Sequence, residues 1–341
     1  MKQFIQKLVE EKDLTEKESE RAMETIMSGK ATDAQIGSFL TALRMKGETA
    51  TEIAAFARVM RKFSRKITPG VDETLVDVCG TGGDEIKTFN ISTTSMFIVA
   101  ATGIPVAKHG NRAITSGCGS ADVLEELGVN LNLEFEKIGE GIEEVGIGFM
   151  FAPAHHSAMK YVMPARRELG VRTVFNILGP LTNPANASAQ LMGVFDPNLS
   201  EKLAEVFRLL GLKHAMVVHG EPGLDEISTL GETKITELKD NRIKTYVVKP
   251  EDFGLVRVKA EDLSGGDKIR NARILTNILK GEDRGPKRDI VLLNAAAGIV
   301  VGDKAGSLGE GLEMVRDVLD SGKAYEKLNE FIGFTKQENF P

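Results

Sequence analysis

From residue 70 onward, short apolar runs alternate with stretches of helical periodicity, and this alternation limits the fold more than any other feature. Five runs read as strands: TLVDV (74–78), IPVAK (104–108), IGFMFA (147–152), AQLMGV (189–194) and HAMVVH (214–219). Helices are expected over about 90–102, 120–128, 155–173 and 200–210, then strand-rich sequence over 242–262 and helices over 265–330. Strands that alternate with helices predict an α/β fold with a mainly parallel central sheet covered by helices on both faces.

Residues 1–66 lack such strand runs and read as helices only. Three of the predicted helices begin with the capping-box pattern Thr-x-x-Glu or Thr-x-x-Gln, whose side chains bind N–H groups at the helix start. The pairs are Thr15 with Glu18, Thr32 with Gln35, and Thr49 with Glu52. The sequence therefore predicts a small all-helical domain before the α/β part, with exposed helix faces that suit a dimer contact.

The stretch DVCGTGGDEIKTFNIST, residues 77–93, places a glycine-rich loop between the first strand and the next helix. It is not a dinucleotide-binding fingerprint, because Glu85 stands where the third glycine belongs. It is not a nucleoside-triphosphate P-loop either, because Gly80 is followed by Glu85 and Ile86 at the Gly-Lys positions. A loop after a strand of an open α/β sheet still lies where ligands usually bind.

The helix after this loop begins with groups that favour an anion. Asn90 is expected to be the N-cap, and Ser92 and Thr93 lie in the first turn, where free N–H groups and the helix dipole attract negative charge. The preceding glycines let backbone N–H groups approach a ligand closely. A tight turn that serves folding alone is the alternative interpretation, so this loop by itself leaves the choice open.

A second glycine-rich loop follows the second strand, within KHGNRAITSGCGSADVLEELG, residues 108–128. Lys108 and Arg112 supply positive charge to it. Its short polar side chains belong to Asn111, Thr115, Ser116 and Ser120. A single loop of this kind is often just a solvated surface, but two such loops after neighbouring strands predict a lobed pocket for a large anion.

Two further groups of charged residues suit particular ligands. Asp225 and Glu226 follow the strand HAMVVH and offer the hard oxygen atoms that Mg²⁺ prefers, although adjacent loop acids are usually only solvated. Arginines near the end of the predicted helix over 155–173 can hold a carboxylate by two parallel hydrogen bonds. Those arginines are Arg166, Arg167 and Arg172, and the alternative is that they only complement the helix dipole.

Composition excludes several classes of function. The net charge of −6 argues against broad binding of nucleic acid, so an anionic small molecule would need a local basic cluster. Cys79 and Cys118 form no disulfide framework, and His155 and His156 have no partner ligands at zinc spacing. The chain has no signal-peptide stretch at its start and no run of about 20 apolar residues, which predicts a cytoplasmic protein.

Together these motifs resemble a known family. GTGGD, NIST, KHGNRA, SGCGSADVLEELG, RRELGVRTVFNILGPLTNPA and GLDE follow the order found in the anthranilate phosphoribosyltransferases, from about residue 74 to 230. The resemblance implies Mg²⁺-dependent transfer of a phosphoribosyl group from phosphoribosyl pyrophosphate (PRPP) to anthranilate, in tryptophan biosynthesis. It also implies a homodimer formed through a helical domain, residues 1–68 joined by helices near 165–183, and an α/β domain, residues 70–164 and 184–341.

The resemblance also assigns roles to individual residues. Contacts on the pyrophosphate side of PRPP are implied for Gly80, Gly83, Asp84, Thr88, Asn90, Ile91, Ser92 and Thr93. The loop over the ribose phosphate and pyrophosphate is implied for Lys108, His109, Gly110, Asn111, Arg112, Ala113, Ile114, Thr115, Ser116 and Ser120. Anthranilate contacts are implied for Gly80, Asn111 and Arg166, and ligands of two Mg²⁺ ions for Ser92, Asp225 and Glu226.

Two positions depart from the family pattern, Ser157 and Cys118, and neither matches a binding role. No indispensable general base is expected, because an aromatic amine is already neutral near pH 7 and needs positioning more than deprotonation. His109 is the one candidate that could assist.

Two other functions remain possible from the sequence. A pyrimidine nucleoside phosphorylase has a similar architecture, but its longer Lys-Ser-x-Gly-x-Gly-type loop is absent from this sequence. A non-catalytic relative that binds nucleic acid would be at odds with the net charge of −6 and with the intact acidic pair.

Overall fold

The computed structural model describes residues 1–83, 86–113 and 117–337. Its first four helices are α1 (Lys2–Val9), α2 (Glu16–Met27), α3 (Asp33–Lys46) and α4 (Ala50–Phe63). All three predicted capping boxes are confirmed, since Thr15, Thr32 and Thr49 each accept the N–H of the residue three positions on, whose side chain accepts the N–H of the threonine. The N-terminal part is therefore all-helical, with its helix starts where the sequence predicts them.

A seven-stranded sheet forms the centre of the remaining chain. Its strands are β1 (Val76–Gly80), β2 (Val106–Gly110), β3 (Ile147–Phe151), β4 (Ala189–Gly193), β5 (His214–Gly220), β6 (Thr233–Lys239) and β7 (Arg242–Val248). The order is β3-β2-β1-β4-β5-β6-β7, in which the first five are parallel and β6 and β7 are antiparallel. After β1 the chain adds β2 and β3 on one side of the sheet, and after β4 it adds β5, β6 and β7 on the other side. The crevice between the carboxyl ends of β1 and β4 is the topological switch point, where open α/β sheets bind ligands.

Eleven further helices lie among the described residues. They are α5 (Ile91–Ala101), α6 (Ser120–Glu126), α7 (Phe135–Glu144), α8 (Ala152–His155), α9 (Met163–Leu169), α10 (Phe175–Leu178), α11 (Leu199–Leu210), α12 (Lys268–Leu279), α13 (Pro286–Val301), α14 (Leu308–Asp320) and α15 (Lys323–Thr335). The helices α5 and α13 contact each other and cover one face of the sheet. On the other face, α11 packs between the sheet and α4. Across the described ranges, no helix has both the length and the apolar character that a bilayer crossing needs.

Alternate residues of the strands enter two different cores. Leu191 of β4 and Val218 of β5 pack with α5 and α13, whereas Met192 and Val217 face the opposite side. On that side they join the same cluster of buried side chains as the helices α2, α3 and α4. The period of two along a strand explains the division. The core of the N-terminal helices is therefore continuous with one face of the sheet.

The structure corrects several expectations. The single helix expected over 155–173 is wrong, because the segment divides into α8, a 3₁₀ turn (Ser157–Tyr161) and α9, and the helices have Pro153 and Pro164 in their first turns. Strand structure over 242–262 ends at Val248, and α7 was not predicted. β1 and β2 run two residues further than expected, so that Gly80 and Gly110 are their last residues.

Candidate active site

Three segments meet at the switch point between β1 and β4. Gly80 and Gly193 are register partners at the ends of these strands, and Asp225 lies directly against both. A Cβ atom on Gly193 would stand 1.5 Å from the backbone oxygen of Asp225, and one on Gly80 would stand 2.2 Å from its Oδ2. The N–H of Gly82 donates to the same Oδ2 at 2.7 Å. Only glycine fits at Gly193, where the obstacle is backbone, and the close approach of both strand ends places the aspartate at the carboxyl edge of the sheet.

Lys108 links the two glycine-rich loops. Its side chain is only 2% exposed, and its Nζ donates to the carbonyl oxygen of Val78 at 2.5 Å and to Oγ of Ser92 at 3.2 Å. Burial lowers the pKa of Lys108, while the negative charges of Asp77 and Glu226 oppose that shift. The ammonium group of Lys108, in β2, thus contacts β1 and the first turn of α5 and lies within the influence of Glu226.

The predicted magnesium ligands fit that ion. Ser92 and Glu226 both interact with Lys108, and Asp225 precedes Glu226 in the chain. Burial raises the pKa of Asp225, while the hydrogen bond from the N–H of Gly82 opposes that shift. Within the described ranges, no group of three or more histidine, cysteine or acidic residues forms a complete metal cage. Mg²⁺ does not need one, since it keeps several waters and binds one or two carboxylates together with substrate phosphates.

Asn90 precedes α5 but does not cap it, contrary to the sequence-based expectation. Its side chain makes no capping bond; instead its Nδ2 donates to the carbonyl oxygen of Cys118, and its Oδ1 accepts from Asn271. The first-turn N–H groups of Ser92 and Thr93 have no acceptor among the described residues. Within the described ranges, the start of α5 therefore has N–H donors available for an anion.

Asp122 organises the loop after β2. Its Oδ2 accepts the N–H groups of Ala113 and Gly119, both at 2.9 Å. A Cβ on Gly119 would stand 2.4 Å from the nitrogen of Ala113, so the two ends of the loop can meet only at a glycine. The carboxylate of Asp122 therefore holds Ala113 and Gly119 next to each other.

The guanidinium group of Arg112, which the resemblance assigns to a phosphate, is hydrogen-bonded to two carboxylates instead. It donates to Oδ1 of Asp122 at 3.0 Å and to both carboxylate oxygens of Glu125 at 2.9 and 3.0 Å. The exposed Asn111 accepts the N–H of Arg112 with its side chain and the hydroxyl of Ser120 with its carbonyl. The structure brings Asn111 and Ser120 together, but it turns the charge of Arg112 toward α6.

Three buried histidines form a cluster beside the end of β2. The rings of His109 and His156 lie 5.0 Å apart, and Nδ1 of His109 is 3.2 Å from the carbonyl oxygen of Gly179. Burial lowers the pKa of His109 well below its usual value, and it lowers the pKa of His156 to about 4. His155 shows the same direction of pKa shift, again because of burial. All three rings are therefore neutral at pH 7.

Asp77 is a functional candidate that the sequence analysis missed. It is fully buried in β1 and accepts the side-chain N–H of Asn183 at 2.7 Å and the backbone N–H of His109 at 3.3 Å. Burial raises its pKa to about 6, against the opposing charge of Lys108. An acidic residue inside the apolar run LVDVC was the signal available in the sequence.

The arginines expected near the acceptor have different surroundings. Arg166 is half-buried, lies 5.3 Å from the ring centre of Phe175, and forms no ion pair with any described carboxylate. Burial lowers its pKa. Arg172 instead donates to the carbonyl oxygen of Gly83 at 2.9 Å and stacks on Phe195 at 4.1 Å. Arg167 and Arg172 are exposed, so Arg166 is the half-buried arginine of this group.

Arg172 also borders an open cleft of about 520 Å³ beside the first loop. Its wall includes Gly83, Phe195, His219 and Glu221. The cleft opens at the carboxyl ends of β4 and β5, next to the strand ends that hold Asp225. There is thus room for a ligand along this edge of the sheet.

The remaining predicted contacts are of three kinds. Asp84, Ile114, Thr115 and Ser116 lie outside the described residues. Thr88 forms an isolated bridge with Ser264. The side chain of Ile91 lies in the hydrophobic core, so only its backbone can face a ligand.

Comparison with known proteins gives the same family over both parts of the chain. The helical bundle domain of a glycosyl transferase family matches residues 2–64, and the a/b domain of that family matches residues 72–325. The anthranilate phosphoribosyltransferase of Acetivibrio thermocellus is 54% identical over 335 residues, which cover 98% of this chain and 96% of that protein.

Solved structures of such enzymes also match nearly the whole chain. The anthranilate phosphoribosyltransferase of Thermus thermophilus is 44% identical with a TM-score of 0.93, over 98% of this chain and 99% of that one. The Saccharomyces cerevisiae enzyme in complex with PRPP and Mg is 28% identical with a TM-score of 0.89, over 98% and 97%. Its complex with 4-fluoroanthranilate gives 27% and 0.84 over the same shares. The chain therefore belongs to this glycosyl transferase family and, within it, to the anthranilate phosphoribosyltransferases.

Proposed function

We propose that this chain transfers the 5-phosphoribosyl group of PRPP to the amine of anthranilate, releasing pyrophosphate and forming N-(5-phosphoribosyl)anthranilate. Anthranilate phosphoribosyltransferases match 98% of the chain in both sequence and structure. The observation that carries the proposal is the meeting of three features at the switch point. These are the N–H groups at the start of α5 that have no acceptor among the described residues, the buried ammonium of Lys108, and the acidic pair Asp225 and Glu226.

The donor side of the reaction depends on charge that develops on the leaving group. When pyrophosphate departs from C1 of the ribose, the sugar becomes oxocarbenium-like and negative charge builds on the phosphate oxygens. The N–H groups of Ser92 and Thr93 are donors already in place for that charge, and they need no reorganisation during the step. Lys108 donates a hydrogen bond to the hydroxyl of Ser92 and so holds it in position.

Ser92, Asp225 and Glu226 would hold Mg²⁺, and the yeast relative has been solved with this metal. When bound, the metal neutralises charge on the diphosphate and orients it. Asp225 is kept in place for this role by Gly82 and by the glycines at the ends of β1 and β4. The sequence resemblance implies two such ions.

The acceptor side needs a site for a carboxylate and no strong base. Arg166 is half-buried and has no acidic partner in the described ranges, and a guanidinium can hold a carboxylate by two hydrogen bonds. The neutral rings of His109 and His156 suit an aromatic ligand whose amine is itself neutral. Both rings have nitrogen atoms without a partner among the described residues, and His109 is the candidate that the sequence resemblance offers to assist proton transfer.

Three further properties belong to the proposal. The yeast complexes carry PRPP, Mg and 4-fluoroanthranilate, which supports the assigned ligands. A homodimer through the helical domain is supported by apolar side chains exposed on α1 and α3, Val9 and Met45. We retain the domain division inferred from the sequence, in which helices near 165–183 join the helical domain of residues 1–68 and the α/β domain comprises residues 70–164 and 184–341. We also retain a cytoplasmic location.

The test is to measure pyrophosphate release when anthranilate, PRPP and Mg²⁺ are mixed with the protein. Release that requires all three supports the proposal. Phosphate-dependent cleavage of a pyrimidine nucleoside without pyrophosphate release would favour the phosphorylase instead. Anthranilate analogues without the carboxylate should react poorly, because they offer nothing to Arg166.

A further inference from the structure

Asn90 is held by residues from two other parts of the chain. Its Nδ2 donates to the carbonyl oxygen of Cys118 at 3.1 Å, and its Oδ1 accepts from Nδ2 of Asn271 at 3.0 Å. Cys118 lies in the loop after β2, whereas Asn271 lies in α12 and is 181 positions from Asn90. One side-chain amide thus connects the starts of α5 and α6 to a distant helix.

The orientation of the Asn271 amide is fixed by its surroundings. The side chain is 2% exposed, and its Oδ1 accepts the N–H of Gly266 at 2.8 Å. The segment before it runs along the first loop, where the N–H of Gly265 donates to the carbonyl oxygen of Lys87 at 3.1 Å. With its oxygen used by Gly266, Asn271 presents its nitrogen to Asn90.

Asn90 differs from the three threonine caps of the same chain. Thr15, Thr32 and Thr49 have ψ angles of 161°, 158° and 159°, and each accepts an N–H three residues on. Asn90 has a ψ of 72° and makes no such bond. Asparagine is among the strongest N-caps, so its own chemistry does not explain the difference. The two tertiary hydrogen bonds do, because they use its oxygen and turn the side chain away from α5.

We propose that Asn271 is a positioning residue for the phosphoribosyl donor. By holding Asn90 away from the first turn of α5, it leaves the N–H groups of Ser92 and Thr93 open to a phosphate group. Because Nδ2 of Asn90 also donates to the carbonyl oxygen of Cys118, Asn271 positions the loop after β2 as well. This role rests on the proposed function, since the diphosphate of the donor is the anion concerned.

The variant Asn271→Asp tests this role directly. It keeps an oxygen for Gly266 and nearly the same shape, but it replaces the donor to Asn90 with an acceptor. Asn90 can then turn and cap α5, in competition with phosphate. We expect the KM for PRPP to rise about five- to tenfold, the range of a typical capping bond. The kcat should change less than twofold, and the KM for anthranilate should not change.

Asn277→Asp, on the same helix, is the matched control, and it should leave all three constants unchanged. A double-mutant cycle with Asn90→Ala then separates positioning from simple charge repulsion. If Asn271 acts through Asn90, adding Asn271→Asp to Asn90→Ala should raise the KM for PRPP no further. An equal rise in both backgrounds would mean repulsion by the new charge and would overturn the proposal.

Other results would also overturn it. An unchanged KM for PRPP in Asn271→Asp, or a fall in kcat with both KM values rising alike, leaves no positioning role. If Asn271→Asp does not fold, Asn271→Ala goes through the same cycle with the same criteria. Measurements on the wild-type protein distinguish failure of the proposed function from failure of the role proposed for Asn271. Without anthranilate-dependent pyrophosphate release, the proposed function fails; with it, a negative cycle removes only the role of Asn271.

Discussion

Gly193→Ala is the substitution from which the geometry of the site predicts the largest effect. The added Cβ would stand 1.5 Å from the backbone oxygen of Asp225. An ordinary contact begins near 3.4 Å, so the end of β4 and the backbone of Asp225 must separate by about 2 Å. At Gly80 the added Cβ would meet mainly the carboxylate, which can rotate, but at Gly193 the obstacle is the peptide itself.

A displacement of about 1 Å in a catalytic group can cost about 100-fold in rate. We therefore expect kcat/KM for Mg²⁺-dependent pyrophosphate release to fall at least about 100-fold in Gly193→Ala. Overpacking should also lower the free energy of unfolding by about 1–3 kcal/mol. Steady-state kinetics with varied Mg²⁺ and urea unfolding measure the two effects.

Gly333→Ala is the matched control, because a Cβ at this position in α15 would meet nothing within 4 Å. It should keep wild-type activity and gain up to about 1 kcal/mol in stability, since alanine favours a helix over glycine. If Gly193→Ala kept more than a tenth of wild-type kcat/KM, the placement of Asp225 by the end of β4 would not matter for activity. The account of the switch point would then be refuted.

Three other perturbations test separate parts of the site. Asp225→Asn combined with Glu226→Gln should abolish Mg²⁺-dependent turnover while the circular dichroism spectrum stays the same; persistent turnover would remove the metal assignment. Arg166→Ala should raise the KM for anthranilate tenfold or more, about the 1.5–3 kcal/mol of a charged hydrogen bond, with little change for PRPP; equal changes would exclude a carboxylate contact. Burial raises the pKa of Asp77 to about 6 from 3.8, so the wild type should lose stability relative to Asp77→Asn as the pH rises from about 4 to 6. The relative loss is up to about 3 kcal/mol, and a constant difference in urea unfolding between pH 4 and 6.5 would contradict it.

Features set by neighbouring residues were predictable from the sequence. The caps at Thr15, Thr32 and Thr49 depend on a partner three positions away, so pattern alone located them. The apolar runs located the five parallel strands, and the glycine-rich loops located the edge of the sheet at which the site lies.

Features set by distant residues were not predictable. Asn90 has the local chemistry of a cap, but Cys118 and Asn271 take its side chain, and no local pattern reveals either partner. Arg112 likewise looked free for phosphate until folding placed Asp122 and Glu125 beside it. The broken helix after His155 is a different case, because the prolines that divide it were visible in the sequence.

The single mass of buried side chains shared by the N-terminal helices and the sheet limits how the enzyme can open. Drawing the two parts away from one another would bring Leu203 and Phe207 of α11, both completely buried, into water. Each would cost roughly 1.5–3 kcal/mol, and their neighbours would add to the penalty. Any motion that separates the helical part from the sheet must therefore meet this cost in free energy.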